Sequence, residues 1–180
     1  MHKTKIEGVY RGGLEISKRE QHNCNSHLDT NILWALLDKE DNKELHEIVK
    51  QLVYKRKRQE LIVSTPVIGE LFSKLPERYD TNKFSEMASK FFKFLKEEKL
   101  KTWHYGESNT KVFNIVVQLR EADICVTPSD ALIIACAIED KNCTLLYTTD
   151  NVILNSTKLK DAIENICEEN RREKLRLSEL

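Results

Sequence analysis

The sequence predicts an α/β fold, a mainly parallel sheet covered by helices. Three observations carry this expectation. Short apolar runs such as "ELIVST" and "CTLLYTT" have the length of buried strands, longer stretches repeat apolar residues at helical spacing, and the two kinds alternate from Asp29 onward. At 180 residues with 40% hydrophobic content, the chain is long enough for one domain with a sizeable core, expected over 23–180. Residues 1–22 are polar and interrupted by "RGG", and read as an extension, a hairpin or disordered.

Taken in order, a first strand ends near Leu28 and a helix begins at about Asn31 in "ILWALL". A second helix covers roughly 43–57, where Leu45, Ile48, Val49 and Leu52 share a face. "ELIVST" follows as a buried strand, and Pro66 suits the first turn of the helix "PVIGELFSKL". A charged amphipathic helix over 82–99 carries Phe84, Met87, Phe91, Phe94 and Leu95 as its apolar stripe, and "KTWHY" is a third strand. A helix near 108–120, a loop with Asp123 and a helix opened by "TPSDALIIACAIED" come next; Pro128 and an acid in the first turn are start signals. "CTLLYTT" is the fourth strand, running into Asp150, and the tail from Thr157 to about Arg172 is a docked helix with Leu159, Ala162, Ile163, Ile166 and Cys167 on one face.

Composition excludes more than it selects. Twenty-nine basic and 29 acidic side chains cancel, so a polyanionic partner would have to be held by a local patch. Two clusters offer one: "YKRKRQ", Tyr54 to Gln59, and "RREKLR", Arg171 to Arg176, although solvation at helix ends explains such clusters more simply. No apolar run reaches the roughly 18 residues that cross a bilayer, and "MHKTKIEGVYRGG" has no signal-like stretch, so no membrane contact and a cytoplasmic location are expected. Five scattered cysteines without CxxC spacing suit a reducing compartment and read as core residues. Trp34, Trp103, Tyr105 and the Phe stripe read as core or dimer contacts rather than stacking platforms, and His27 and His104 as structural.

Four acids occupy the same kind of place. Ligands of parallel sheets bind where the chain leaves a strand and enters a helix. Asp29 directly follows the first strand, Glu70 lies in the first turns after the second, Asp130 opens the helix before the fourth, and Asp150 directly follows that fourth strand. Each alone has a simpler role as a helix cap, a dipole partner or a turn former. Gathered together, four carboxylates repel one another unless a cation balances them. Mg²⁺ or Mn²⁺ is the natural counterweight, because hard ions take oxygen ligands, whereas no HExxH or Cys/His cluster with zinc spacing occurs. Such oxygen-only sites suit phosphodiester hydrolysis.

"LDTN", "TPVIGEL", "TPSDALIIACA" and "LLYTTD", in this order, resemble the PIN domain, including its VapC-like toxin ribonucleases, over about 28–155. The resemblance implies a three-layer α/β/α fold with a mainly parallel four- to five-stranded sheet. It implies that Asp29, Glu70, Asp130 and Asp150 form an acidic quartet that binds Mg²⁺ or Mn²⁺ and cleaves single-stranded RNA, leaving a 5′-phosphate and a 3′-hydroxyl. Thr30, Asn31 and Thr149 would orient those carboxylates by hydrogen bonding; local cap and turn bonding is the simpler role for Thr30 and Asn31. It also implies a homodimer, with the Phe-bearing helix of 82–99 as one candidate surface, and an antitoxin protein as a candidate partner. Three features depart from the family pattern: "REQHNCNSH" before Asp29 is unusually polar, Asn151 and Asn155 are neutral where family members often carry another polar or acidic residue, and only "NVIL" offers the short closing strand expected after Asp150.

Rival readings are a catalytically weak PIN-like RNA- or protein-binding module, and a phosphatase with an aspartate nucleophile. The latter wants a second acid two residues after the first, where Asn31 stands. Dinucleotide and P-loop nucleotide binding are disfavoured, since neither GxGxxG nor GxxxxGK[ST] occurs.

Overall fold

Five parallel strands, paired in the order β3-β2-β1-β4-β5, form the sheet of the computed structural model, which describes residues 24–55, 59–106 and 109–180. The strands are β1 (Cys24–Leu28), β2 (Gln59–Ser64), β3 (Lys101–Trp103), β4 (Cys143–Tyr147) and β5 (Arg176–Ser178). Among the described residues, eight helices accompany them: α1 (Thr30–Leu37), α2 (Lys43–Lys55), α3 (Thr65–Arg78), α4 (Thr81–Lys96), α5 (Asn109–Ala122), α6 (Pro128–Glu139), α7 (Asn151–Asn155) and α8 (Thr157–Glu169). This is the α/β/α architecture expected of the sequence. The chain builds outward from β1 through β2 to β3, then returns to the other side of β1 with β4 and β5. The direction therefore reverses between β1 and β4, which opens a crevice at their carboxyl ends.

Local chemistry sets the element starts. Asp29, Asp80, Thr127, Asp150 and Ser156 each accept a backbone N–H at the start of the helix that follows, and Pro66 and Pro128 lie in first turns. Apolar patterning sets the depth. From Ala131 to Ile138 only Leu132 escapes full burial in α6, and α1 is buried from Ile32 to Leu37, so these two helices pack the sheet most deeply. Side chains of this size contribute about 1.5–3 kcal/mol each on burial. In α4, Met87 and Phe91 point inward, whereas Phe92 is 58% exposed.

β1 is polar yet buried, for a reason visible only in three dimensions. His27 is 1% exposed, and its Nε2 donates to Asp140 Oδ2 at 3.1 Å; the same oxygen accepts from Asn25 Nδ2 at 2.8 Å. Burial holds His27 below its ordinary 6.5 against the pull of Asp140, while Asp140 lies below the carboxylate range because these donors outweigh its own burial. Ser26 accepts from Gln59 on the neighbouring strand. These pairings offset most of the cost of burying the polar groups, although His27 Nδ1 has no hydrogen-bond partner among the described residues.

The end of the sheet differs from the sequence expectation. "NVILN" is helix α7 rather than a closing strand, because Asp150 Oδ1 accepts from the N–H groups of Val152 and Ile153 and starts a helix there. The fifth strand is Arg176–Ser178, inside the charged tail. α8 ends with Arg171 at φ +51°, where the N–H of Arg172 bonds Cys167 O and that of Arg171 bonds Glu168 O, the Schellman pattern. The turn delivers the Arg172 guanidinium to the carbonyls of Ala137, Ile138 and Asp140 at the end of α6, and to Cys143 O. Within "RREKLR", Arg172 is thus a structural clamp rather than a phosphate contact. In "YKRKRQ", positions 56–58 lie outside the described residues, as does the N-terminal extension over 1–22. Cys136, Cys143 and Cys167 are buried free thiols, and no helix among the described residues is long and apolar enough to cross a membrane.

Candidate active site

Each of the four predicted acids is anchored by the element that carries it. Asp29 caps α1 at the end of β1 and is 3% exposed; its Oδ1 accepts from the Thr30 N–H at 2.6 Å, and its Oδ2 accepts from the Thr148 hydroxyl at 2.6 Å. Glu70, on α3, accepts at Oε2 from the hydroxyls of Thr30 at 2.8 Å and Ser129 at 2.9 Å, and at Oε1 from the Lys74 ammonium one turn along. Asp130 lies in the first turn of α6, where the Thr127 hydroxyl donates to its Oδ2 at 2.5 Å and accepts its backbone N–H at 3.2 Å. Asp150 caps α7. For Asp29 and Asp150 the simpler capping role is therefore present, and the cap bonds are what fix these two carboxylates at the ends of β1 and β4.

Electrostatics joins the four. Burial is the first cause that pushes Asp29 from 3.8 to about 6; the negative charges of Asp130 and Glu70 add to it, and the bonds from Thr148 and Thr30 oppose it. Asp130 is also raised, by burial first and then by Asp150 and Glu70, against Thr127. Glu70 moves the other way, because Lys74, Thr30 and Ser129 outweigh the penalty of its burial. Asp130 thus feels both Glu70 and Asp150, and Asp29 feels both Asp130 and Glu70, so the crevice brings all four acids into one field.

The donor set is oxygen only, and two of its acids lie above the carboxylate range, which is the chemistry of a site short of positive charge. Oxygen donors of this kind suit a hard divalent cation, for which Asp29, Glu70, Asp130 and Asp150 are the candidate ligands. Their geometry is not that of a coordination sphere: among the described residues, no three His, Cys, Asp or Glu side chains enclose a point where a metal ion could sit. The carboxylates face their own donors instead, and Glu70 has Lys74 as a resident countercharge.

Of the residues expected around the acids, Thr30 bonds Glu70, whereas Asn31 is exposed and hydrogen-bonds no carboxylate among the described residues. Thr149 lines a neighbouring cavity, and the hydroxyl that reaches Asp29 belongs to Thr148, fully buried one residue earlier. Sequence reasoning also missed Ser129, Thr127 and Lys74. Thr127 and Lys74 had signals: "TPSD" has the spacing of a capping box, and Lys74 stands four residues after Glu70 on one helix face. Ser129 had none, since its contact spans 59 positions.

Comparison with known proteins agrees with this fold. The sequence profile of the PIN domain matches residues 27–158. Among solved structures, the chain is similar to VapBC2 from Rickettsia felis, described as bound to a DNA fragment from their promoter, with a TM-score of 0.57 at 17% identity over 87% of this chain and 98% of that one. It is also similar to FitAcB from Neisseria gonorrhoeae, with a TM-score of 0.52 at 15% identity over 76% and 92% of the two chains. No curated protein matches the sequence significantly.

Proposed function

Because the chain belongs to the PIN domain family, we propose that it is a Mg²⁺- or Mn²⁺-dependent endoribonuclease that hydrolyses phosphodiester bonds of single-stranded RNA. The observation that carries this reading is the shared field of Asp29, Glu70, Asp130 and Asp150 at the crevice between β1 and β4, with Asp29 pushed up to about 6. A bound divalent cation would supply the activated water and the charge stabilisation that phosphodiester hydrolysis needs. The chain's own part is to present the carboxylates: Thr148 and the Thr30 N–H fix both oxygens of Asp29, Ser129 and the Thr30 hydroxyl aim Glu70, and Thr127 orients Asp130. Lys74 keeps Glu70 ionised.

The reading extends, on fold likeness to VapBC2, to a cytoplasmic toxin with an antitoxin protein as its partner, acting as a homodimer; RNA processing is the other role for the same chemistry. A second reading, a catalytically weak RNA- or protein-binding module, draws on the lack of a ready coordination geometry among the described residues and on the Lys74–Glu70 pair. Cleavage of end-labelled single-stranded RNA with Mn²⁺ or Mg²⁺ separates the two. The nuclease reading expects cleavage that stops with chelator and falls on the order of 10²-fold or more in Asp130→Asn. Equal residual activity in wild type and Asp130→Asn contradicts it.

A further inference from the structure

A cavity of about 570 Å³ opens beside the acids and shares Thr30 and Lys74 with them, a size within the range of small-ligand sites. Its far wall is layered. The Arg78 guanidinium lies 5.1 Å over the Trp34 ring, Tyr79 stacks on the same ring at 5.7 Å, and the Tyr79 hydroxyl is tied to Asp38. Asp41 anchors Arg78, yet 52% of its side chain remains open. The result is a flat, delocalised cation, half-exposed and set over an aromatic ring, the kind of surface on which an unpaired base stacks.

Charge balance narrows the ligand. Arg78 is matched by Asp41 and Lys74 by Glu70, so neither offers an uncommitted cation to a phosphate. Glu77, an exposed acid, also lines the cavity and adds negative rather than positive charge; Asn31 and Asn42 are the lining groups that can read a base edge. Asn42 caps α2 with Oδ1, which accepts the Leu45 N–H at 3.0 Å and leaves the side-chain NH₂ as a donor; Asn31, exposed at the near side, offers an amide with both a donor and an acceptor.

We propose that this cavity binds one unpaired nucleobase of the RNA chain beside the phosphodiester to be cut, stacked on Arg78 and read at its edge by Asn31 and Asn42. The inference rests on the ribonuclease reading and adds base selection to it. A site built this way discriminates by stacking and by hydrogen bonds that a wrong base leaves unmade.

The test has two arms. First, wild type, Arg78→Lys and Asn42→Asp cut a randomised single-stranded RNA pool with Mn²⁺, and the product ends are sequenced. Arg78→Lys keeps the charge and loses the plane; Asn42→Asp keeps the helix cap and loses the donor. The expected result is a base preference at one position flanking the cut that falls roughly tenfold in each variant. Second, a fluorescent tetranucleotide binds the cleavage-deficient Asp130→Asn protein without added metal, and adding Arg78→Lys weakens it roughly tenfold. Cleavage whose preference survives both substitutions overturns the subsite and leaves the nuclease reading intact. Wild type that cuts no RNA removes the nuclease reading, and unchanged affinity in the second arm overturns the subsite on its own.

Discussion

Thr148 donates its hydroxyl to Oδ2 of Asp29 at 2.6 Å, across the crevice where β4 meets β1. The same hydroxyl oxygen accepts the backbone N–H of Asp150 at 3.0 Å, so one buried side chain fixes the acids that follow both strands. Thr148→Val removes the donor, leaves the Asp150 N–H short of a partner, and should cost about 1–3 kcal/mol. Thr149→Val should stay within about 0.5 kcal/mol of wild type. Thermal unfolding of both variants in chelator checks this, and equal losses would show that the Thr148 bond is not the one that matters.

Asp29 gives a pH dependence with a definite sign. Its carboxyl sits at about 6 in the fold against an ordinary 3.8, so the advantage of the protonated form is fully present below about pH 4 and is lost as pH rises through about 6. The shift corresponds to at most about 3 kcal/mol. Asparagine is also a good cap, so in chelator Asp29→Asn should match wild type near pH 4 and be about 1–3 kcal/mol more stable at pH 7. Denaturant melts at the two pH values measure the difference; a variant that is less stable at pH 7 would mean that Asp29 acts mainly as a cap.

Lys74 pairs with Glu70 and would compete with a cation bound there. Lys74→Gln should raise the Glu70 pKa toward the ordinary range and tighten Mn²⁺ binding by several-fold, on the order expected when one positive charge leaves the neighbourhood of a binding ion. Carboxyl-resolved NMR titration and calorimetry read the two effects. Weaker Mn²⁺ binding in the variant would mean that Lys74 organises the site instead of competing for it.

The end of α8 offers a stability test far from the acids. Arg171 holds φ +51° without being glycine, so Arg171→Gly should stabilise the protein by about 0.5–1 kcal/mol. Arg172→Ala strips the guanidinium from carbonyls of α6 and β4 and should cost about 2–3 kcal/mol, with faster amide exchange in β5. Unchanged melting of Arg172→Ala would remove the clamp from the account.

These residues also mark what the sequence could and could not tell. Helices with long apolar periods were legible, because burial follows their spacing: Leu159, Ile163, Ile166 and Cys167 of α8 lie on the buried side. So was the placement of Asp29 directly after β1 and of Asp150 after β4, since a parallel α/β alternation puts the ends of neighbouring strands at one sheet edge. β5 was not legible, because a three-residue strand among charges has no pattern and needs the Arg172 clamp to reach β4. "NVIL" misled because a short apolar run fits either element, and the cap at Asp150 decided it. The polar β1 resisted for a related reason: the partner that makes His27 tolerable, Asp140, is 113 positions away.

The central claim is that Asp29, Glu70, Asp130 and Asp150 form one site deficient in positive charge. Calorimetric titration of Mn²⁺ into wild type at pH 6, in buffers of different ionisation enthalpy, tests it most directly. The expected result is saturable binding with net proton release, because Asp29, raised to about 6, is partly protonated there, and loss of that binding in both Asp29→Asn and Asp130→Asn. Saturable binding that both variants keep, or no saturable binding by wild type, would contradict it.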